Sequence, residues 1–269
     1  RAIGLTQPRY WFHVGYRVHA AADLGMFRRE RTLMLGNDHT GAAELCNIAV
    51  DIGQLDVAEQ AQLVQLLVRA ALLLLHRDHR QQPVDGSTLP RVIATLPGKR
   101  DAHGAAPFWE GLGRHFYADD VDAALARFGS PWFTHVAALL PRHPLVVSVL
   151  HADAQAAIGA TDARAEALRA ALHGAGLRAG QHVDLRDGGP VFEAHLDLVG
   201  CPSMQHVRLL LRDTLDAPQS ALLIADTGAR LCLLSAARSD RDRLAILPAD
   251  AARYGLVDGE SAWVDLAPG

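Results

Sequence analysis

The chain has 269 residues, of which 49% are hydrophobic and 21% are charged, and its formal net charge is −4. This composition is typical of a globular protein with a sizeable core, arranged as one large domain or two smaller ones. A mildly acidic chain has no overall electrostatic reason to bind nucleic acid or an anionic membrane, so we expect small molecules or other proteins as partners.

The cysteines are few and far apart. Cys46, Cys201 and Cys232 predict neither a disulfide framework nor a paired-cysteine metal site, and this usage favours a reducing cytoplasm. The sequence opens at Arg1 with neither an initiator methionine nor a signal sequence. Because strand-like residues follow almost at once, we expect the first part of the fold to be missing.

The first third of the chain predicts strands followed by one long helix. Residues 10–20, 32–35 and 43–50 combine apolar and β-branched residues in short runs. From Asp56, a plausible N-cap, the apolar residues recur at helical spacing to about residue 76. This segment is too interrupted by polar residues for a membrane span, and we interpret it as a buried helix.

The middle of the chain predicts further alternation of strands and helices. A polar loop over residues 81–90 leads into a strand over 91–96. Pro107 begins a helical run, and residues 119–127 and 163–172 have helical spacing. Residues 133–137 are apolar and predict a strand.

The last part of the chain has a different character. Short alternating strands are predicted at residues 206–211, 221–225, 231–235 and 262–266, separated by turn residues. We therefore expect two domains, a core over residues 1–200 and a small β-rich domain over residues 201–269.

Five blocks of residues, in order and at the right separations, resemble those of the arginine N-succinyltransferase family. No single block would be specific, but five in register over most of the chain are. The blocks are Gly4-Leu5 with Pro8, Tyr10, Val14-Gly15 and Val18-His19-Ala20; Asn37-Asp38-His39-Thr40-Gly41 with Glu44-Leu45-Cys46; Phe108-Trp109 with Leu112-Gly113-Arg114 and Phe116; Leu140-Pro141 with His143-Pro144; and Asp187-Gly188-Gly189-Pro190 with Glu193.

The resemblance implies an α+β fold of the acyl-CoA N-acyltransferase (GNAT-like) type, with a mixed sheet flanked by helices and a small C-terminal β-rich domain. It implies transfer of the succinyl group of succinyl-CoA to the α-amine of L-arginine, and some members also use ornithine. In this superfamily a splayed strand, here residues 44–50, pairs with the pantetheine arm of the cofactor. The resemblance therefore makes Cys46, Asn47 and Ile48 the cofactor-binding residues.

The loop before the long helix departs from the family pattern. Active relatives carry an arginine-rich, glycine-containing loop there, whereas this chain retains Gly53 and has carboxylates at Asp51, Asp56 and Glu59. Negative charge disfavours a diphosphate at a helix N-terminus. Family members described as alpha chains, which pair with a beta chain, also have a weakened loop. The alternative hypothesis is therefore a weakly catalytic or non-catalytic partner of an active paralogue, in a homo- or hetero-oligomer.

The candidate catalytic residues are Asp162, His39 and Glu44. Asp162 occupies the position of the family's proton-donating histidine, although an ordinary aspartate is ionised at neutral pH. His39 and Glu44 are candidates for accepting the proton of the substrate ammonium group, or else a turn histidine and a strand-start carboxylate.

Substrate binding adds a second set of candidates. Asn37 and Asp38 are candidates for holding L-arginine, with an Asx turn as the alternative. Arg114 is a candidate for binding the succinyl carboxylate, and Arg17 and Arg142, which also lie in or next to family blocks, are further candidates. The fourteen histidines form no clear ligand pair apart from His76 and His79 at a helix end, and we expect no metal.

Overall fold

A computed structural model describes residues 3–51, 53, 55–81, 91–199, 204–228 and 230–266. The strands are β1 (Trp11–Ala21), β2 (Met26–Gly36), β3 (Ala43–Glu44), β4 (Arg91–Thr95), β5 (Leu145–Val146), β6 (Arg178–Asp184), β7 (Pro190–His195), β8 (Met204–Leu211), β9 (Gln219–Ala225), β10 (Leu231–Asp240), β11 (Arg243–Ile246) and β12 (Ser261–Leu266). The helices are α1 (Val57–Gln81), α2 (Pro107–Gly111), α3 (Val121–Phe128), α4 (Pro131–Leu139), α5 (Ala152–Ala157), α6 (Glu166–Gly174) and α7 (Pro248–Tyr254).

The chain divides into two compact units. The first, here the sheet unit, comprises residues 1–49 and 90–195, and the second, here the barrel unit, comprises residues 50–89 and 196–269. This grouping differs from the predicted division into 1–200 and 201–269, because α1 packs against β9 and β12 of the barrel. The predicted boundary itself, the predicted loop at 82–90 and Cys201 lie outside the described residues.

The sheet unit is built on a seven-stranded sheet in the order β3-β4-β7-β6-β1-β2-β5. Its neighbouring strands are antiparallel except for β3 and β4, which are parallel and lie at one edge. Helices α2 to α5 cover the apolar core, where Phe12 and Leu33 from the sheet contact Phe108 and Trp132 from the helices. The predicted α+β class, with a small β-rich C-terminal part, is confirmed.

The predicted strand at residues 133–137 is wrong, because these residues form the middle of helix α4. Pro131 stands in the first turn of the helix, where the missing N–H is tolerated. Trp132 and Val136, four residues apart, are both buried on the same face. A short apolar run cannot distinguish a buried strand from a buried helix by itself, and tertiary packing decided this one.

The block Asp187-Gly188-Gly189-Pro190 forms the tight turn that joins β6 to β7. Gly188 has a φ of 71°, in the left-handed region that favours glycine. A side chain on Gly189 would collide with the backbone oxygen of Leu96 just beyond β4. The turn therefore requires these glycines, and it fixes the register of the two strands that carry His182 and Glu193.

The barrel unit is a closed five-stranded barrel in the order β10-β11-β8-β12-β9. All pairs are antiparallel except β8 with β11. Along β10, buried residues alternate with exposed ones, as a strand with one face toward a core requires. The four strands predicted after residue 204 are confirmed, while β11 and α7 were not predicted.

Helix α1 belongs to the barrel unit and is amphipathic. By length and composition it could cross a membrane, with a mean hydropathy of 1.3 in its most apolar window. Ala70 and Leu73 pack against Leu222 and Ile224 of β9. Only 22% of that window is buried, so the expectation of a fully buried helix was too strong. The Arg69 Nε donates to Asp265 on β12 at 2.6 Å, which ties the helix to the barrel.

Candidate active site

The edge strand β3 leaves its neighbour after a short parallel pairing. Ala43 and Glu44 lie opposite Val92 and Ile93 of β4, and the Leu45 N–H donates to the Ile93 carbonyl at 2.9 Å. The predicted strand over residues 43–50 is therefore much shorter than expected. Asn47 has a φ of 56°, a conformation rare outside glycine, which turns the chain away from the sheet.

The predicted cofactor-binding residues lie in this diverging segment. Among the described residues, no hydrogen bond involves the backbone N–H of Cys46, Asn47 or Ile48. Cys46 and Asn47 are exposed, and Ile48 is partly exposed. Backbone groups that the sheet does not use remain available for an extended ligand, the arrangement used when a chain adds to a sheet edge.

A cleft of about 480 Å³ lies where β3 diverges. The Arg9 Nη1 donates to the Glu44 carboxylate at 2.6 Å, and Glu44 is nearly buried. Cys46 and Arg186 line the same cleft. The guanidinium carbons of Arg9 and Arg186 lie 5.6 and 5.5 Å from the ring centre of Phe133, so both cations pack beside one aromatic wall.

The sequence analysis missed both arginines of the cleft. Arg9 lies inside the first family block, between Pro8 and Tyr10, and that position was the available signal. Arg186 is held by Asp184, a buried carboxylate that accepts from its Nε at 2.8 Å and its Nη2 at 3.0 Å. Arg114, by contrast, is an exposed residue that pairs with Glu110 at 2.6 Å and lines a second depression, which Arg186 also lines.

A second polar cluster joins three parts of the sheet unit. His39 comes from the turn after β2, His182 from β6 and Glu193 from β7. The ring centres of His39 and His182 lie 4.3 Å apart, and the His39 Nδ1 lies 3.8 Å from a Glu193 carboxylate oxygen. Asp38 accepts from the His182 Nε2 at 2.9 Å. The candidates His39 and Asp38 are thus brought together, while Glu44 pairs elsewhere.

Burial controls the protonation of His39. His39 is 1% exposed, and neither ring nitrogen has a hydrogen-bond partner among the described residues. Burial and, second, the nearby His182 lower the pKa of His39 to about 4. The ring is therefore neutral near pH 7 and carries a free lone pair. The cluster His39, His182 and Glu193 also has the composition and proximity needed to hold a metal ion.

Asn37 has a structural role in the same turn. Its carbonyl oxygen accepts from the Thr40 backbone N–H at 3.0 Å and from the Thr40 hydroxyl at 2.8 Å. These bonds close the turn that brings His39 inward. The geometry accounts for Asn37 without a substrate contact, whereas Asp38 contributes its side chain to the histidine cluster.

Asp162 is an ion-paired helix cap. Its carboxylate accepts from the backbone N–H and the Nε of Arg164, both at 2.9 Å. The hydrogen bonds from Arg164 hold the pKa of this carboxyl below its usual range, so it is ionised at neutral pH. The Asp162 N–H donates to Pro97 in the chain just beyond β4. An ionised carboxylate has no proton to donate, which disfavours the predicted acid role.

The N-terminus of α1 is occupied by its own side chains. Asp56 accepts from the backbone N–H groups of Ala58 and Glu59 at 2.8 and 2.9 Å. Glu59 in turn accepts from the Asp56 N–H at 2.9 Å, which completes a capping box. The N–H groups that would bind a phosphate at a helix start are therefore already used by carboxylates.

Comparisons with known proteins agree with one another. The family described as "Arginine N-succinyltransferase beta subunit" matches residues 1–201. The arginine N-succinyltransferase of Yersinia enterocolitica is 33% identical over 264 residues, which cover 96% of this chain and 73% of that protein. That of Salmonella arizonae is 34% identical over 198 residues, which cover 74% of this chain and 55% of that protein.

A solved structure shares the fold. Arginine/ornithine succinyltransferase subunit AI from Pseudomonas aeruginosa has a TM-score of 0.78 and 21% sequence identity, covering 100% of this chain and 76% of that one. The mixed sheet with its diverging edge strand and the identity of the relatives define an acyltransferase. The chain belongs to the arginine N-succinyltransferase family.

Proposed function

We propose that this chain transfers the succinyl group of succinyl-CoA to the α-amine of L-arginine, on a fold of the acyl-CoA N-acyltransferase type. The observation that carries the proposal is the parallel pair β3 and β4 at the sheet edge, which separates beyond Leu45 in a chain that belongs to this family. The backbone N–H and carbonyl groups of Cys46 to Ile48, which have no hydrogen-bond partner among the described residues, would bind the pantetheine arm.

The reaction requires one nucleophilic substitution at a thioester. The α-amine of arginine attacks the thioester carbonyl carbon, a tetrahedral intermediate forms, and the carbon–sulfur bond breaks to release the CoA thiolate. The ammonium form of arginine must first lose one proton, and the attacking nitrogen loses a second one to solvent as the amide forms. Direct transfer needs no covalent enzyme intermediate, so Cys46 serves through its backbone.

Arg9 and Arg186 are the proposed partners of the succinyl carboxylate. A carboxylate is best recognised by guanidinium groups, which donate paired hydrogen bonds. Both arginines line the cleft that also contains Glu44 and Cys46, at the point where the acyl group of a cofactor bound along the diverging segment would lie. Arg114 is exposed, pairs with Glu110 and does not line this cleft, so it is less suited to this role than the sequence suggested.

Three residues are candidates for accepting the ammonium proton of arginine or for protonating the leaving thiolate. Glu44 lies on β3 at the start of the diverging segment and is paired with Arg9. His39 is neutral and unpaired, but its side chain is fully buried. Asp162, ionised by Arg164, gives no proton to the leaving thiolate. We therefore place Glu44 as the proton acceptor and let the thiolate leave unprotonated.

A second candidate function has support of its own. The capping box of Asp56 and Glu59 and the ionised Asp162 both remove features that an active acyltransferase uses. A chain that stabilises or regulates an active paralogue would tolerate both changes. This candidate predicts an assembly of two different chains, in which the turnover of the paralogue depends on the presence of this one.

Thiol release in the presence of succinyl-CoA and arginine tests the first proposal. The full chain should release CoA faster than an empty-vector preparation, and arginine should be required. Arg9→Met should raise the KM for succinyl-CoA more than that for acetyl-CoA, because only succinyl carries the carboxylate. Arg114→Met is the matched control and should change neither.

The Asp162→His variant separates the two candidates. A histidine at this position, whose imidazolium form can donate a proton near neutral pH, should raise turnover by roughly 10²-fold, since a well-placed acid contributes about that much or more. If both the natural chain and this variant release no thiol, while adding the chain to an active paralogue raises the paralogue's turnover, the partner function replaces the enzymatic one.

A further inference from the structure

Three potential metal ligands converge inside the sheet unit. One ligand atom from each of His39, His182 and Glu193 lies within 4.8 Å of the other two. Four ligands arranged tetrahedrally around zinc at 2.0–2.2 Å would lie roughly 3.4 Å apart. The observed 3.8 Å between the His39 Nδ1 and the Glu193 oxygen is close to that value. Small side-chain rotations would bring the three ligand atoms to the separation that zinc requires.

The two histidines have nitrogens that the protein does not satisfy. Both nitrogens of His39 and the Nδ1 of His182 are buried without a hydrogen-bond partner among the described residues. The His39 side chain has no solvent exposure. The great majority of buried polar groups have a hydrogen-bond partner. Nitrogens without one on two adjacent rings therefore indicate a ligand that accepts lone pairs, such as a metal ion.

The surroundings orient these ligands as the outer shell of a metal site does. Asp38 accepts from the His182 Nε2, which places the proton on that nitrogen and leaves the lone pair on Nδ1. Arg91 donates to the Glu193 carboxylate at 3.0 Å and limits its rotation. Around the two rings, the carboxylates of Asp38 and Glu193 outnumber the single guanidinium of Arg91, which favours a cation.

The geometry points to a divalent cation site of the zinc type, with His39, His182 and Glu193 as ligands and a fourth position left for water or a small ligand. Two imidazoles and one carboxylate suit zinc and its first-row neighbours, whereas magnesium and calcium prefer oxygen ligands. The inference does not depend on succinyl transfer. A metal-bound His39 has no lone pair for a proton, so occupancy would exclude it as the base.

Zinc titration of the full chain tests the site. After treatment with a chelator and dialysis, calorimetry should show one Zn²⁺ bound per chain, and Mg²⁺ should not compete. His182→Gln should weaken binding by more than the roughly 10- to 100-fold that loss of an outer partner produces, and Asp38→Asn should weaken it within that range. His13→Gln is the matched control, because the His13 ring lies 5.2 Å from His182 but outside the ligand set.

Two further measurements keep the test decisive if a variant fails to fold. Zn²⁺ should raise the Tm of the natural chain and of His13→Gln, because a ligand that binds only the native state stabilises it. Co²⁺ bound to the natural chain should show the visible absorption of a tetrahedral site. Zinc affinity that is equal in the natural chain, His182→Gln and Glu193→Gln, or the absence of any one-to-one site, overturns the proposal.

Discussion

The sheet unit and the barrel unit bury different kinds of side chain. Within the described part of the chain, the buried polar or charged residues of the sheet unit are His39, Asp162, His182, Asp184 and Asp187. In the barrel unit the corresponding residue is Asp265, which pairs with Arg69. The barrel core is otherwise aliphatic, with residues such as Leu209, Leu244 and Ile246.

This difference separates a unit that is arranged for chemistry from one that is arranged for stability. Burying polar groups costs free energy unless each is paired, so a unit with many of them gives up stability for positioned functional groups. The barrel has few such groups to position. Substitutions in the barrel strands β8 to β12 should therefore change stability alone, whereas substitutions in the sheet unit should change both stability and ligand binding.

Removing the charge of Asp184 should produce the largest effect on stability. Asp184→Asn leaves the Arg186 guanidinium partly buried without its counter-charge, and breaking such a pair costs about 3–5 kcal/mol. Urea unfolding should show this loss in the free energy of unfolding. Glu166→Gln, which breaks the exposed pair with Arg169, is the control and should leave the free energy of unfolding nearly unchanged, because solvent screens an exposed pair. An equal loss of unfolding free energy in the two variants would show that the buried pair of Asp184 with Arg186 contributes no more to stability than an exposed one.

Truncating the barrel core should destabilise the protein without touching the cleft. Leu209 is 0% exposed, and Leu209→Ala should cost about 3 kcal/mol through lost burial and the remaining cavity. Leu233→Ala, at a position 47% exposed on β10, should cost little. Urea unfolding of each variant measures the change in the free energy of unfolding. A Leu209→Ala protein that is still folded yet has a changed KM for succinyl-CoA would break the proposed separation between the two units.

Acid should destabilise the sheet unit through His39. Its pKa is about 4 in the folded chain and 6.5 in the unfolded one, so the unfolded state binds the proton first as the pH falls. The contribution is fully present above pH 6.5 and is lost between pH 6.5 and 4, by up to about 3 kcal/mol. Urea unfolding in the presence of a chelator should show this slope, and His39→Gln should remove it. An unchanged slope in that variant would show that other groups cause the acid sensitivity.

The smallest expected effect lies at the start of α1. Asp56→Ala removes the N-cap and should cost about 1 kcal/mol of stability. The same change frees the N–H groups of Ala58 and Glu59, so affinity for CoA should rise. Asp51→Ala removes a nearby carboxylate that accepts from the Gly53 N–H and makes no hydrogen bond to the described residues of α1, so it should leave helix stability unchanged. A CoA affinity that rises equally in both variants would indicate general charge repulsion rather than competition for the helix start.

Periodicity and local signals along the chain determined most of the architecture. The alternating strands of the barrel, the long helix after Asp56 and the α+β class follow from apolar spacing, which any local segment displays without its neighbours. The five blocks in register identified the family. The loss of the family's basic loop before α1 was also predicted from the sequence, because it depends on residue identity alone.

Only the tertiary structure decided which side chains meet. Asp38 and His182 are 144 positions apart, and Arg9 and Glu44 are 35 apart, so strand register and turn geometry, not spacing, bring them together. The short apolar run around Phe133 became a helix because one face of it packs beneath the sheet. Residue types and local periods are encoded in the chain itself, whereas burial, unpaired nitrogens and ion pairs depend on contacts between segments that are distant along the chain.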